Sequence, residues 1–324
     1  MSGQGSFLVA DIGGTNARFA VASGSARSGF TLSHICRLKN EDFEHLRDAA
    51  SAYLETYSGP KPHRACFAVA APIGAGPVKL TNSTWRFDAT DLAQTIGLDA
   101  IFLVNDFAAQ ARGAPLAPSE DVAILNLGQA KPDTPCAVLG PGTGLGLGLL
   151  IPQGPDILVI ETEGGHAGFA PRTELEVVVG KFIADEYGYV SWERLLSGRG
   201  LVNIHRALCA HESLPWSGER PEDITARALA DPDSMCGRVV DLFCACLGAF
   251  AGDVAVLSGA RSGVYLAGGI LPRIRVLLEN SPFLQRFSSR GPMTRYAEAI
   301  PIKLLLTDSA ALLGAAAIAE KGRL

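Results

Sequence analysis

Short, unbroken apolar runs punctuate the chain at residues 6–11, 17–22, 65–71, 101–106, 136–139, 146–151, 157–161, 264–267 and 302–306. Runs of this length, bounded by glycine and polar residues, predict buried strands. Between them the apolar spacing changes to three and four. That spacing predicts helices over 41–57, 174–187, 221–229 with Asp223 as a candidate cap, 234–257 and 309–321. In the longest, Val239, Phe243, Cys246, Phe250, Val254 and Leu257 recur with few charges between them, which predicts a helix buried on most sides. Strands alternating with helices place the chain in the α/β class.

One pattern occurs twice. Residues 7–22 read FLVADIGGTNARFAVA and residues 137–151 read AVLGPGTGLGLGLLI. Each is an apolar strand, a turn rich in glycine and threonine, and a second apolar strand, so each predicts a β-hairpin. Glycine supplies positive φ without strain, and a turn cleared of side chains lets backbone N–H groups approach an anion. A single such hairpin would read as an ordinary turn. Its repetition suggests a duplicated domain whose halves grip one polyanion from both sides. Neither turn carries the lysine of a GxxxxGK[ST] loop, and neither opens into a helix as a dinucleotide fingerprint does. A P-loop NTPase and a Rossmann dehydrogenase are thereby disfavoured.

A length of 324 residues suggests two domains, or one large one. Apolar residues are 48% and charged residues 19%, which excludes disorder. The net charge of −5, without a run of like charge, makes nucleic acid and anionic membrane poor partners. The seven cysteines form no CxxC pair and no zinc spacing, so they read as buried free thiols of a reducing compartment. The N-terminal residues lack the pattern of a signal peptide, and the glycine-interrupted stretch 139–151 is too short to span a bilayer. A soluble, cytoplasmic protein is expected. Glycine is the outlier: 36 of 324 residues, where an average of about 7% would give roughly 23.

Candidate chemistry gathers at the ends of the apolar runs. Asp11 precedes Gly13, Gly14, Thr15 and Asn16, and a carboxylate beside an anion-binding turn implies an intervening cation, Mg²⁺ held through water. The alternative is an Asp that only closes the turn. Asn105 and Asp106 end the run IFLVND, where open α/β sheets bind ligands; Asn can orient a hydroxyl and Asp can take its proton. Asp106 could instead cap a helix starting at Phe107. Glu161, Glu163 and His166 surround Gly164 and Gly165, a set better suited to the adjacent hydroxyls of a neutral polyol than to a metal. Glu193, before Ser197, Gly198 and Gly200, is a further hydroxyl acceptor or a surface residue. Thr81, Asn82 and Trp85 form another polar loop cluster, and Gly268 and Gly269 would let backbone meet a flat base or ribose.

Taken in order, LVADIGGTNARFAV, LTNSTW, FLVNDF, LGPGTGLGLG, EGGHAGFAP, VSWERLLSGRGLVN and YLAGGILPR resemble the bacterial-type glucokinase family of the actin-like ATPase superfamily. The resemblance runs from about Phe7 to the final helix. It implies two actin-like (ribonuclease H-like) α/β domains around a deep cleft, residues 1–115 rejoined by 308–324 and residues 116–307. It implies ATP-dependent phosphorylation of glucose on carbon six by a homodimer, with Asp106 as the base. Asn82, Asn105, Glu163, His166 and Glu193 would hold the sugar. Ala10, Asp11, Ile12, Gly13, Gly14, Thr15, Asn16 and Arg18 would take the phosphates, faced by Gly142, Thr143 and Gly144, with Gly268 and Gly269 at the nucleoside. The related ROK kinases carry a cysteine-rich zinc motif that does not follow His166 here, so no structural zinc is expected. Kinases of another hexose or of an N-acetylated hexosamine fit the same residues. A sugar-sensing repressor would need a helix-turn-helix ahead of the hairpin, and a silent sensor would lack Asp106. ADP or polyphosphate could occupy the same hairpins as ATP.

Overall fold

Each half of the chain contains an antiparallel hairpin of apolar strands. The computed structural model describes residues 5–71, 73–74, 76–80, 84–154 and 156–322. It divides into unit 1, residues 1–119 with 158–160 and 307–324, and unit 2, residues 120–157 with 161–306.

In unit 1, β1 (Ser6–Ile12), β2 (Asn16–Ser25) and β3 (Gly29–Lys39) form an antiparallel meander, helix α1 (Leu46–Thr56) follows, and β4 (Arg64–Val69) adds to β1 in parallel. After a short ribbon, β5 (Val78–Lys79) with β6 (Arg86–Phe87), and helix α2 (Ala89–Ile96), strand β7 (Ala100–Asn105) joins β4, also in parallel. The sheet order is β3-β2-β1-β4-β7. Its core includes Phe19 stacked on Tyr53, with ring centroids 5.2 Å apart. The apolar pattern misses β3, because most of its residues are exposed on an edge strand and it has no apolar run. The helix expected from residue 41 starts at Leu46. His45 takes the cap position and its N–H is accepted by the Asp48 carboxylate at 3.0 Å, which fixes the start five residues later.

Unit 2 repeats the plan. Strands β8 (Val122–Asn126), β9 (Cys136–Pro141), β10 (Leu145–Gln153), β11 (Asp156–Thr162), β12 (Gly263–Leu266) and β13 (Ile302–Leu305) are ordered β11-β10-β9-β12-β13-β8. A meander, then two strands parallel to its first member, is the order of unit 1 with β8 added at the edge. The helices between β11 and β13 are α4 (Glu174–Tyr187), α5 (Gly198–His211), α6 (Pro221–Ala230), α7 (Met235–Ser258), α8 (Arg275–Asn280), α9 (Phe283–Ser288) and α10 (Thr294–Glu298). Helix α7 is long and apolar enough to cross a membrane by length alone, yet most of it lies in the unit 2 core. Leu257, expected on the buried face, is 86% exposed near its end. Asp223 is not the cap of α6. It sits one turn in and accepts the Arg220 N–H at 3.2 Å, while Pro221 opens the helix. Helix α5 was not legible because its Gly-Arg-Gly start reads as a turn; Ser197 caps it by accepting the Gly200 N–H at 3.0 Å. The seven cysteines are free and all but Cys36 are buried, with burial pushing the Cys136 and Cys244 thiols up to about 12.

The last helix, α11 (Ala310–Lys321), belongs to unit 1 and packs on the helix that follows β7, α3 (Asp106–Gly113). The two touch backbone to backbone. A Cβ on Gly113 would lie 1.8 Å from the Ala310 carbonyl oxygen, and one on Gly314 1.8 Å from that of Ala109. Gly314→Ala should therefore force α11 off α3 and lower stability by about 1–3 kcal/mol. Urea unfolding measures this, and an unchanged midpoint would mean that the helices are not in backbone contact.

Candidate functional site

The first hairpin presents its turn at the carboxyl end of β1. Asp11 pairs with Arg18 and Ile12 with Ala17 in the ladder, and the Gly13 N–H donates to the Asn16 carbonyl at 2.9 Å. Asn40, buried just after β3, closes the turn from behind: its backbone N–H donates to the Thr15 carbonyl and its side-chain amide to the Gly13 carbonyl, both at 2.9 Å. The carbonyls thus point into the protein, and among the described residues no backbone carbonyl takes the Gly14 or Thr15 N–H. Ala10 and Ile12 are fully buried and hold the strand, while Thr15 is exposed at the tip. Sequence reading missed Asn40, since an isolated Asn carries no pattern.

Asp11 is half-buried. Burial raises its carboxyl above the usual range, opposed by Arg18, whose Nη2 lies 3.6 Å away. Arg18 is itself buried and its guanidinium bonds the Asp308 carboxylate and carbonyl, with Arg37 at 3.3 Å from the same carboxylate. The structure therefore places Arg18 on carboxylates of its own unit. Asp308, just ahead of α11, was not a candidate from sequence; a lone Asp before a helix reads as a cap.

At the end of β7 the strand turns directly into α3. Asn105, not Asp106, is the cap: its Oδ1 accepts the N–H groups of Phe107 at 2.9 Å and Ala108 at 3.1 Å. The strand expected to run through 106 stops at Asn105, and Asp106 is the first helical residue. Its Oδ1 shares the Phe107 N–H at 2.8 Å. Desolvation by burial raises the Asp106 carboxyl to about 6, helped by the charge of Asp11 and opposed by that hydrogen bond. The residue is a weak base poised near neutral pH at a strand end.

In unit 2 the second turn lies between β9 and β10. The Gly142 N–H donates to the Gly144 carbonyl at 2.8 Å, and the Gly142 carbonyl accepts the Gly198 N–H at 2.8 Å. Leu145, just past the turn, donates its N–H to Glu193 Oε2 at 2.9 Å. Gly268 has φ +86°, and a Cβ there would lie 2.4 Å from the Pro141 carbonyl oxygen. Glycine is thus required where β12 meets the hairpin, while Gly142 and Gly269 face open space.

Residues 164–166 form one turn of 3₁₀ helix with Glu163 ahead of it; both the Glu163 and His166 side chains are exposed, 3.9 Å apart. Burial and the neighbouring Glu163 raise the Glu161 carboxyl. The glycine pair has a packing reason: a Cβ on Gly165 would lie 2.2 Å from the Leu145 carbonyl oxygen, so the turn lies flat against β10. Backbone bonds from Phe169 to Val190 and from Trp192 to Ala167 zip this segment to the one bearing Glu193. Thr143, Gly144, Glu193, Ser197, Gly198, Gly269 and Arg273 line one cavity of about 740 Å³, with Arg199 and Thr225 on its walls. Asn82 and Thr81 lie outside the described residues.

Two units that share a five-strand sheet order, each with a glycine-turn hairpin, have the actin-like α/β fold of the sugar kinases. The glucokinase family model matches residues 8–322. A glucokinase of Saccharophagus degradans is 40% identical over 311 residues, 96% of this chain and 97% of its own. One of Chromobacterium violaceum is 39% identical over 310 residues, 96% and 88% of the two chains. The crystal structure of a glucokinase from an Antarctic psychrotroph superposes with a TM-score of 0.91 at 36% identity, over 98% of this chain and 99% of that one. The chain belongs to the glucokinase family.

The environment of Asp106 is directly testable. Carboxyl ¹³C NMR should show it titrating near pH 6, and Asp11→Asn, by removing a like charge, should move the midpoint down. A midpoint near 4, unmoved by that substitution, would contradict the burial described.

Proposed function

We propose that the protein phosphorylates D-glucose on its C6 hydroxyl at the expense of ATP, giving glucose 6-phosphate and ADP. Asp106, set at a strand end with its carboxyl raised to about 6, carries the reading. Membership of the glucokinase family supports it. The bond formed joins the sugar oxygen to the γ-phosphorus, and the bond broken frees ADP. The hydroxyl proton passes to Asp106. A sugar hydroxyl is a far weaker acid than a carboxyl, so Asp106 first orients it and takes the proton late.

Asn105 has its Oδ1 committed to helix amides, which leaves its NH₂ group to donate to a sugar oxygen. Glu163, His166 and Glu193 would accept or donate to further hydroxyls, and Asn82 would add another contact. The free amides of Gly14 and Thr15, and Thr143 with Gly144 in the second turn, suit phosphate oxygens. The cavity beside Gly269 is roomy enough for a nucleoside. Asp11 fits Mg²⁺ held through water: it is a half-buried carboxylate beside the first turn, its charge offset in part by Arg18, which Asp308 also shares. When bound, Mg²⁺ supplies charge neutralisation on the phosphates. The functional domains are read as 1–115 with 308–324 and 116–307. We also read the protein as a cytoplasmic homodimer feeding glycolysis, without zinc, nucleic acid or membrane.

A coupled assay of sugar phosphate tests the reading with ATP, ADP and polyphosphate against glucose, mannose, fructose and N-acetylglucosamine. Turnover is expected with ATP and glucose; preference for another sugar or donor would overturn that assignment. Asp106→Asn should lose on the order of 10²-fold or more in kcat while still binding glucose by calorimetry. Near-normal turnover in this variant would remove Asp106 from the chemistry.

A further inference from the structure

Glu193 does more in this structure than face a sugar. Its Oε2 accepts the N–H of Leu145 at 2.9 Å, immediately after the Gly142-Thr143-Gly144 turn. The carboxylate lies so close to that turn that a Cβ on Gly144 would meet Oε2 at 2.6 Å. Glu193 is itself held: its backbone carbonyl accepts the hydroxyl of buried Ser197 at 2.8 Å, and the next residue, Gly198, donates to the Gly142 carbonyl. Carboxylate and backbone together clamp both ends of the turn to the start of α5.

We propose that Glu193 is a positioning residue that couples the sugar to the second phosphate turn. The inference rests on the kinase reading above and adds a transmission route to it. One carboxylate oxygen braces the turn while the other accepts a sugar hydroxyl. A bound sugar that immobilises the carboxylate therefore also fixes the hairpin, and the turn's amides meet the nucleotide already ordered. Linkage makes the effect reciprocal: each ligand tightens the other by the same factor. Charge-assisted hydrogen bonds to backbone amides are strong enough to carry such coupling.

The test is calorimetric titration with the non-hydrolysable ATP analogue AMPPNP, with and without glucose. In the wild type, glucose should lower the AMPPNP Kd several-fold. Glu193→Ala should weaken AMPPNP about tenfold even without sugar, and abolish the effect of glucose. Glu193→Gln keeps an acceptor for Leu145 and should restore the sugar-free Kd, though not the full coupling. Gly144→Ala should also weaken AMPPNP, and by less in the Glu193→Ala background, because the oxygen it strikes is gone. That cycle reads out the brace even if one single variant is destabilised. Glu193→Ala binding AMPPNP without glucose as tightly as the wild type, or additive Gly144 and Glu193 effects, would overturn the brace alone. A wild type that binds no AMPPNP would overturn the kinase reading, and the coupling with it.

Discussion

The Asp106 environment depends on how strand β7 becomes helix α3 without a loop between them. β7 ends at Asn105 and α3 begins at Asp106, so the first free helical amides need an acceptor at once. Asn105 supplies it, bonding Phe107 and Ala108. With the cap provided by its neighbour, Asp106 keeps most of its carboxyl for something else. Burial there holds the carboxyl near 6, an environment that favours a proton acceptor over a permanent charge. The junction is rigid because α3 is locked to α11 through Gly113 and Gly314, where there is no room for a side chain. The last helix thus fixes the position of the Asp106 carboxyl.

The same economy explains the glycines. Gly13 and Gly142 in the hairpin turns leave the space beside the backbone clear, whereas Gly165, Gly268, Gly113 and Gly314 let backbone pack on backbone. A composition excess that suggests ligand contact alone is thus divided between ligand and fold. Duplication of the sheet order in the two units accounts for the paired hairpins. The two turns are braced differently: Asn40 closes the first, and Glu193 with Gly198 clamps the second.

Much of this was legible in the sequence because it is local. Apolar runs that end in glycine or in Asn-Asp mark strand ends, and both hairpins lie where the pattern puts them. β3 escaped because an exposed edge strand leaves no apolar run, and α5 because its first turn is glycine-rich. The capping partners were misread at one position, since Asn105 and Asp106 are equally good caps by type. Asn40 behind the first turn, Asp308 on Arg18 and the Glu193 carboxylate on Leu145 join residues distant in sequence, and no spacing rule reports such contacts. Family resemblance supplied roles for residues; the packing shows what else those residues hold.

If Asp106 takes the sugar proton as proposed, a carboxyl raised to about 6 by burial sets the pH dependence of turnover. The most direct measurement is kcat/KM for glucose as a function of pH at saturating ATP. Only the deprotonated carboxylate can act, so log kcat/KM should rise with unit slope up to about pH 6 and then level. A profile that stays flat down to pH 4.5 while the fold is intact would mean that Asp106 does not take the sugar proton.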